Sequence, residues 1–389
     1  MKPKTSLLVP FPALLVLLPV ALSAAPAVDT LPSGANVTHG QADISRSGSE
    51  LLIRQGTEKL VTNWESFSIG SDAAVRFDQP SQSSAALNRV IGQLPSEIFG
   101  RLSANGQVIL INPQGIAFGP NSRIDVGALV ASTLELADED FLQGKLHFQG
   151  DAGGLISADG ELTVGDGSYI AFIAPLIEQR GSIEAAEGSV ALAAGMDVEL
   201  DLHGDGIVSL RVNEGAIDAV VENSGAIRAG NMAILTAEGF DELARSVVNN
   251  TGLIEAAGIS HNGGRIKLDG GDAGEVSNSG TLSVASEKGE GGLVTIEARA
   301  IELQDGSVID ATGATGGGSV LVGGDWQGGA NVERRVFDHP NALRQATTVS
   351  MGSGGLIDAS ATDSGDGGTV VLWSEVENPD SVTTVAGEI

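Results

Sequence analysis

A short pattern, G-x-I-x-A, recurs from about residue 150 onward and limits the folds that this chain can adopt. Copies start at Gly154, Gly181, Gly215, Gly225, Gly252 and Gly355, with looser copies at Gly280 and Gly306. The interval is 27 residues from Gly154 to Gly181 and from Gly225 to Gly252, then 28 to Gly280 and 26 to Gly306. A fixed period in this range is typical of a solenoid, in which each repeat packs only on its neighbours.

A second strand type alternates with the first, and the repeat units carry no helix signals. Its members usually follow a glycine: Ser189 to Ala193, Arg265 to Leu268, Leu293 to Ile296 and Thr369 to Trp373. In both types apolar and polar residues alternate, which predicts one inward and one outward face. The pattern predicts an all-β right-handed parallel β-helix, or β-solenoid, with an N-terminal cap region. A β-propeller needs longer blades of four strands, and a leucine-rich solenoid needs helical segments, so both fit less well.

This period predicts which side chains stack. Ile183, Ile227 and Ile254 should form one internal column, each worth roughly 1.5–3 kcal/mol against exposure. The residues Asn223, Asn250 and Asn278 share another phase. Stacked asparagines can hydrogen-bond to one another along the coil axis, so we interpret them as a structural ladder and not as a ligand site.

The stretch from Asn88 to Gly119 contains a strand that ends in a tight corner. The apolar run Gln107 to Ile111 is followed by Asn112-Pro113-Gln114-Gly115 and then by a short strand, Ile116 to Phe118. Asparagine first, proline second and glycine fourth are typical of a type I turn. Two strands joined so closely, with no helix between them, predict a coiling chain and not βαβ units.

Four motifs in this front part, taken in order, resemble the secretion domain of the filamentous haemagglutinin family, the exported partner in bacterial two-partner secretion. They are Leu31 to Gly34, Asn63 to Gly70, Asn88 to Gly92 and Val108 to Gly119. The family usually has asparagine where this chain has Gln114. The resemblance covers roughly residues 30–140, and a weaker likeness of the repeats covers the rest.

This resemblance implies an exoprotein that is secreted or held at the bacterial cell surface, of the adhesin or haemagglutinin type. It would be recognised by a dedicated outer-membrane β-barrel transporter and would have a possible receptor on a host cell or surface. We expect a secretion domain at 28–145 and β-helix repeats at 146–389. The predicted export residues are Asn112, Pro113, Gly115 and Ile116, supported by Asn88 and Trp64.

The first 27 residues have the layout of a signal peptide: Lys2 and Lys4, an apolar run, and the cleavage site Ala25-Pro26-Ala27. Export would therefore proceed through the periplasm.

The chain carries 50 acidic and 21 basic residues, for a net charge of -29, so nucleic-acid binding is not expected. With 0 cysteines it uses neither disulfides nor thiolate metal sites.

No catalytic, cofactor-binding or metal site is predicted. The histidines are scattered without a ligand spacing. A secreted carbohydrate-active β-helix enzyme stays as the alternative, because Asp218, Asp310 and Asp358 could project outward at equivalent positions. We interpret these acids as solvated and the protein as not an enzyme.

The interval from Gly306 to Gly355 is 49 residues, about 22 more than one coil. The excess predicts a loop excursion at about 324–351, with Trp326, Phe337 and three arginines, Arg334, Arg335 and Arg344. Either it is an interaction surface, or it packs on the solenoid with its arginines paired to carboxylates. The last residues resemble the opening of another coil, so we expect a fragment of a longer exoprotein.

Overall fold

The computed structural model describes residues 25–151, 153–202, 208–240, 245–258, 263–337 and 342–389. Most of the predicted signal peptide, residues 1–24, lies outside the described residues.

Three long sheets wind around one axis as the walls of a parallel β-helix, which confirms the predicted fold class. Sheet 1 has twelve strands, in the order β1 (Asn36–His39), β4 (Lys59–Trp64), β6 (Ala85–Val90), β9 (Gln107–Ile111), β12 (Ala128–Ser132), β17 (Tyr169–Ile173), β20 (Ser189–Ala194), β25 (Met232–Ala237), β28 (Arg265–Asp269), β31 (Leu293–Glu297), β34 (Ser319–Val322) and β37 (Thr369–Leu372). Sheet 2 also has twelve, β2 (Ala42–Ser47), β3 (Glu50–Gln55), β5 (Ala74–Asp78), β8 (Arg101–Ala104), β11 (Arg123–Val126), β16 (Glu161–Val164), β19 (Ser182–Ala185), β24 (Ala226–Ala229), β27 (Leu253–Ala256), β30 (Thr281–Ser283), β33 (Val308–Asp310) and β36 (Leu356–Asp358). Sheet 3 has ten, β7 (Ser96–Ile98), β10 (Ile116–Phe118), β15 (Leu155–Ala158), β18 (Leu176–Gln179), β23 (Asp218–Asn223), β26 (Arg245–Asn250), β29 (Glu275–Asn278), β32 (Ala300–Leu303), β35 (Thr348–Met351) and β38 (Val382–Val385).

Each coil runs from sheet 1 to sheet 3, then to sheet 2, and back to sheet 1. Inward side chains from all three walls form one continuous core along the axis. In sheet 2, Ile183 pairs with Ile227 and Ile227 with Ile254, all three fully buried, so the predicted column is confirmed.

The asparagine ladder is also confirmed, on the inner side of sheet 3. Asn223 Nδ2 donates to Asn250 Oδ1 at 2.7 Å, and Asn250 Nδ2 donates to Asn278 Oδ1 at 2.7 Å. Asn278 Nδ2 then donates to the carbonyl of Gly280 at 3.2 Å. Each amide thus donates to the next group along the stack, and of the three acceptors only Asn223 Oδ1, at the end of the ladder, has no hydrogen-bond partner among the described residues.

Two copies of the G-x-I-x-A pattern do not lead into sheet 2, where the copies at Gly181, Gly225 and Gly252 lie. The copy at Gly154 leads into β15 of sheet 3, where Ile156 stacks on Ile116 and Ile177 and not above Ile183. The copy at Gly215 leaves Ile217 78% exposed, ahead of β23. The pattern marks a strand that leaves a glycine corner, and corners of different walls look alike in sequence.

Two reversed strands close the amino-terminal end of the stack. β1 pairs antiparallel with β4, and β2 pairs antiparallel with β3 over its whole length from Ala42 to Ser47. Below this cap, the described strand pairings within the three walls are parallel. The predicted N-terminal cap region is therefore formed by a change of strand direction.

A second layer covers part of sheet 1 from outside. It is a four-stranded antiparallel sheet, the outer sheet, built from β13 (Glu135–Leu136), β14 (Leu146–Gln149), β21 (Asp197–Leu202) and β22 (Val208–Glu214), with helix α1 (Asp138–Gln143) beside it. The helix has an acidic first turn and ends at Gly144, whose φ is 81°. No helix in the described part of the chain is long and apolar enough to cross a membrane.

The prediction of one inward and one outward face is wrong for sheet 1, where both faces are buried in the covered coils. Its outward column reads Val61, Leu87, Ile109, Val130, Ala171 and Ala191 beneath the outer sheet. The column then becomes polar at Lys267 and at the buried Thr295, and apolar again at Leu321 and Val371 beneath the later excursion. Continuous apolar runs such as Gln107–Ile111 indicate a strand that is covered on both sides.

Candidate functional site

The predicted export turn lies at the corner where the chain passes from sheet 1 to sheet 3. The amide of Gly115 donates to the carbonyl of Asn112 at 3.0 Å and closes the turn. Asn112 itself is fully buried: its Oδ1 accepts from the amide of Gln114 at 3.0 Å, and its Nδ2 donates at 3.0 Å both to the carbonyl of Leu94 and to Ser96 Oγ. Its side chain therefore ties this corner to the coil above.

Gly115 and Ile116 lead the chain out of the turn. Gly115 has a φ of +116°, which favours glycine, and a Cβ there would lie 3.1 Å from the carbonyl oxygen of Leu155. Ile116 is buried and pairs with Ser96 above it and Ile156 below it. Pro113 is half-buried at the turn.

Asn88 and Trp64 lie inside the solenoid, one coil apart. Asn88 is fully buried and its Oδ1 accepts from Trp64 Nε1 at 3.1 Å, while its Nδ2 donates to the carbonyl of Ala86 at 3.1 Å. The Trp64 ring packs edge-on against Phe67 with 5.4 Å between centroids. These contacts satisfy a polar group within an apolar core, which fixes the register of the first coils.

The two groups of predicted residues meet on one connection, residues 91–95, between β6 and β7. At its start, the amide of Ile91 donates to the carbonyl of Trp64 at 2.8 Å. At its end, the carbonyl of Leu94 accepts from Asn112. Five of the six predicted residues are buried and Pro113 is half-buried, so the surface at this corner consists mainly of other side chains.

Sequence reasoning missed two basic residues that fasten the outer layer to the first coils. Lys59 Nζ donates at 2.8 Å to the carbonyls of Phe141 and Leu142, at the carboxyl end of α1. Arg89 pairs with Glu135 at 3.0 Å and with Asp138 at 2.8 Å. A basic residue within or beside an apolar strand run was the available signal, but its partners lie more than 45 positions away in sequence.

The excursion between β34 and β35 contains two short 3₁₀ turns, Trp326–Gly329 and Val332–Arg334. They are organised by the buried carboxylate of Asp325, which accepts from the amides of Trp326 at 2.6 Å and of Val336 and Phe337 at 3.0 Å each. The Trp326 side chain stays 48% exposed. The excursion thus packs on sheet 1 and still presents an aromatic group.

Arg344 anchors this excursion to the solenoid through Asp269 and Asp272, and its amide donates to Glu297 Oε2 at 2.8 Å. Burial alone would raise the pKa of Asp269, but the charges of Lys267, 3.0 Å away, and of Arg344 outweigh it and hold that pKa below its ordinary value. For Arg344, the interpretation as an arginine paired to nearby carboxylates is confirmed.

In the described part of the chain, no group of three or more His, Asp or Glu side chains is arranged to hold a metal ion. His147 Nε2 lies 2.8 Å from Asp197 Oδ1, which also accepts from Asn213 Nδ2 at 3.0 Å. Asp310 stacks on Asp358 in sheet 2, but Asp218 belongs to sheet 3. The expectation that all three acids share one outward column is therefore wrong.

Comparison with known proteins places these features in a family. The family profile described as the TPS secretion domain matches residues 28–284, more than half of the chain. A heme/hemopexin-binding protein of Haemophilus influenzae, strain Rd, is 30% identical over 267 residues, covering 66% of this chain and 29% of that protein. A second heme/hemopexin-binding protein of H. influenzae is 29% identical over 248 residues, covering 57% of this chain and 26% of that protein. The chain thus spans less than a third of the length of these curated relatives.

The crystal structure of the HMW1 secretion domain from H. influenzae superimposes with a TM-score of 0.75 at 25% identity. The alignment covers 92% of this chain and 99% of that domain. The family match at residues 28–284 includes the coils that carry the corner motif. The chain belongs to the TPS secretion domain family of two-partner secretion proteins.

Proposed function

We propose that this chain is the exported partner of a two-partner secretion system, bound by a dedicated outer-membrane β-barrel transporter. A signal peptide at 1–27 would take it to the periplasm, and the transporter would pass it to the cell surface or the medium. There it would act as a binding protein of the adhesin or haemagglutinin type. The observation that carries this proposal is the family match from residue 28 over the capped first coils.

The solenoid suits export as an unfolded chain. Each new coil needs its predecessor as a template, and the amino-terminal cap and first coils would emerge first. The transporter would therefore read the front of the chain, at residues 28–145, before the later coils at 146–389 have formed. Residues Asn112, Pro113, Gly115 and Ile116 are our proposed recognition motif, supported by Asn88 and Trp64.

The test is export of an Asn112→Ala variant from cells that also produce the cognate transporter. We expect loss of the secreted protein, because the Leu94 carbonyl and the Gln114 amide lose their partner and the corner changes shape. Asn250→Ala is the matched control, since Asn250 is equally buried in the ladder but lies far from the front. Equal export of wild type and Asn112→Ala would refute the role of the turn. An equal loss of export in Asn112→Ala and Asn250→Ala would show that the turn acts only by stabilising the fold.

A haem-binding role at the surface is a second candidate, because two curated relatives carry the name heme/hemopexin-binding protein. Those proteins extend well beyond the matched region, so the binding function could belong to parts without a counterpart here. Titration of the mature chain with haemin, followed by absorbance, separates this candidate from an adhesin role. A Soret shift that saturates at one equivalent would favour haem binding.

The carbohydrate-active enzyme is the remaining alternative. The groove it would use lies on the outer face of sheet 2, a cavity of about 380 Å³ lined by Arg101, Arg123, Asp125 and Glu161 among others. Arg123 and Glu161 are 3.6 Å apart, but their side chains are 73% and 62% exposed, so water screens both charges. Release of reducing ends from a panel of polysaccharides by the mature chain would favour this alternative.

A further inference from the structure

The connection 91–95, which we name the presenting loop, exposes two aliphatic side chains. Ile91 is 52% exposed and Leu94 is 72% exposed, and only Gly92 and Gln93 separate them. Most branched aliphatic residues of the first coils are buried in the core. Single exposed apolar side chains are common on protein surfaces, but two that lie close together on one defined loop can form part of a surface that binds a partner.

The loop is held in place from three sides. The amide of Ile91 donates to the carbonyl of Trp64 at 2.8 Å, and the carbonyl of Leu94 accepts from Asn112 Nδ2 at 3.0 Å. Between them, Gly92 packs so closely that a Cβ would lie 2.0 Å from the carbonyl oxygen of Glu65. Ile91 and Leu94 are therefore presented by a defined backbone, whose supports include two of the residues that the sequence singled out.

The surface formed by this loop and the turn below it carries no charge. Residues 91–95 read Ile-Gly-Gln-Leu-Pro, and residues 112–115 read Asn-Pro-Gln-Gly. This is unusual on a chain with a net charge of -29. A partner that fits here offers apolar side chains and uncharged hydrogen-bonding groups, and ionic strength should change its affinity little.

We infer that Ile91 and Leu94 are the side chains that the periplasmic part of the transporter binds, in an apolar groove of its own. Asn112 is then a positioning residue, whose side chain holds the presenting loop, and the backbone carbonyl of Trp64 supports the same loop. This inference rests on the proposed function. It commits to the transporter because the loop lies within the matched family region and is fastened by the motif turn.

The experiment uses the full mature chain, produced with its transporter for export and purified for binding to the transporter's periplasmic part. The test variant is Ile91→Ser with Leu94→Ser. The matched control is Val332→Ser, since Val332 is 71% exposed on the distant excursion. We expect at least a tenfold loss of affinity and of secreted protein for the double variant, the same loss at low and high salt, and wild-type behaviour for the control.

Two further variants keep the result interpretable. The conservative pair Ile91→Val with Leu94→Met should stay within about threefold of wild type, because the apolar surface is preserved. Leu94→Glu alone, at the more exposed position, should reproduce the loss if the double variant does not fold. Asn112→Ala should add little to the double-serine variant, because both changes remove the same contact.

The outcomes separate the inference from the proposed function. If the wild-type chain is neither bound nor exported by the transporter, the proposed function fails. If the wild type and the double-serine variant are bound and exported alike, the inference is overturned and the proposed function stands. If the wild type forms dimers, and the double variant is monomeric but normally exported, the loop binds a second copy and the inference is again overturned.

Discussion

The outer sheet and helix α1 should stabilise the first coils as one cooperative unit, and Phe148 is the side chain to test. Phe148 lies on β14, is fully buried, and pairs in register with Leu136 and Val198. Replacing a buried phenylalanine by alanine costs about 3–5 kcal/mol. Since about 1.4 kcal/mol is a factor of ten in an equilibrium, the opened form should become roughly 10² to 4 × 10³ times more populated.

Hydrogen exchange of backbone amides, resolved by peptide, is the appropriate assay, because a solenoid need not unfold in a single transition. In Phe148→Ala the exchange rates should rise in β6, β9 and β12, which lie beneath the outer sheet. Strands from β31 onward, which lie outside this layer, should exchange as in wild type. Leu321→Ala is the matched control, since Leu321 is fully buried beneath the later excursion.

A rise of equal size in every coil would show that the solenoid opens as a whole and that the outer layer does not define a unit. No change beneath the layer would show that the outer sheet is not coupled to the coils. Either outcome would refute the reasoning.

Three further predictions concern contacts outside the presenting loop. Lys59→Met should destabilise the docking of α1 by about 2 kcal/mol, because two carbonyls lose a charged donor; exchange within α1 measures this. Asp325→Ala should release the excursion at a cost of about 2–4 kcal/mol, because three amides lose their acceptor; limited proteolysis should then cut the excursion and leave the coils intact. The pKa of Asp269 is held below its ordinary value, so its contribution is present above about pH 4 and is lost as the pH falls through the lowered pKa. Excursion docking should therefore weaken in strong acid, and Asp269→Asn should flatten that dependence; Glu238, whose pKa burial raises, contributes with the opposite sign.

The solenoid could be predicted because each coil packs only on its neighbours, so the same sequence pattern returns once per coil. Each coil contributes one residue to each stacked position. The isoleucines Ile183, Ile227 and Ile254 therefore form one column, and the asparagines form another. The pattern did not distinguish the copies at Gly154 and Gly215, which precede strands of sheet 3, because a glycine corner followed by an isoleucine looks the same on every wall. Which wall a strand joins is decided by coil length, and insertions change that length.

The outer layer could not be predicted from the same pattern. Its strands resemble others in sequence, and their docking on sheet 1 depends on contacts such as Arg89 with Glu135, 46 positions apart. The unbroken apolar run of β9 was the usable sequence signal of a covering layer, because apolar and polar residues alternate in a strand that has one face in water. For the candidate site, the sequence located the corner at Asn112, but the exposure of Leu94 follows only from the folded backbone.

The reversed strands at the amino-terminal end give the molecule a polarity of assembly. Two walls begin with strands that run against the common direction, whereas the third begins with β7, which runs with it. The strands in one coil of another molecule would all follow a single winding direction. Such a coil could not pair in parallel with the edge strands of all three walls at once. This end therefore cannot be extended by stacking a further coil in parallel.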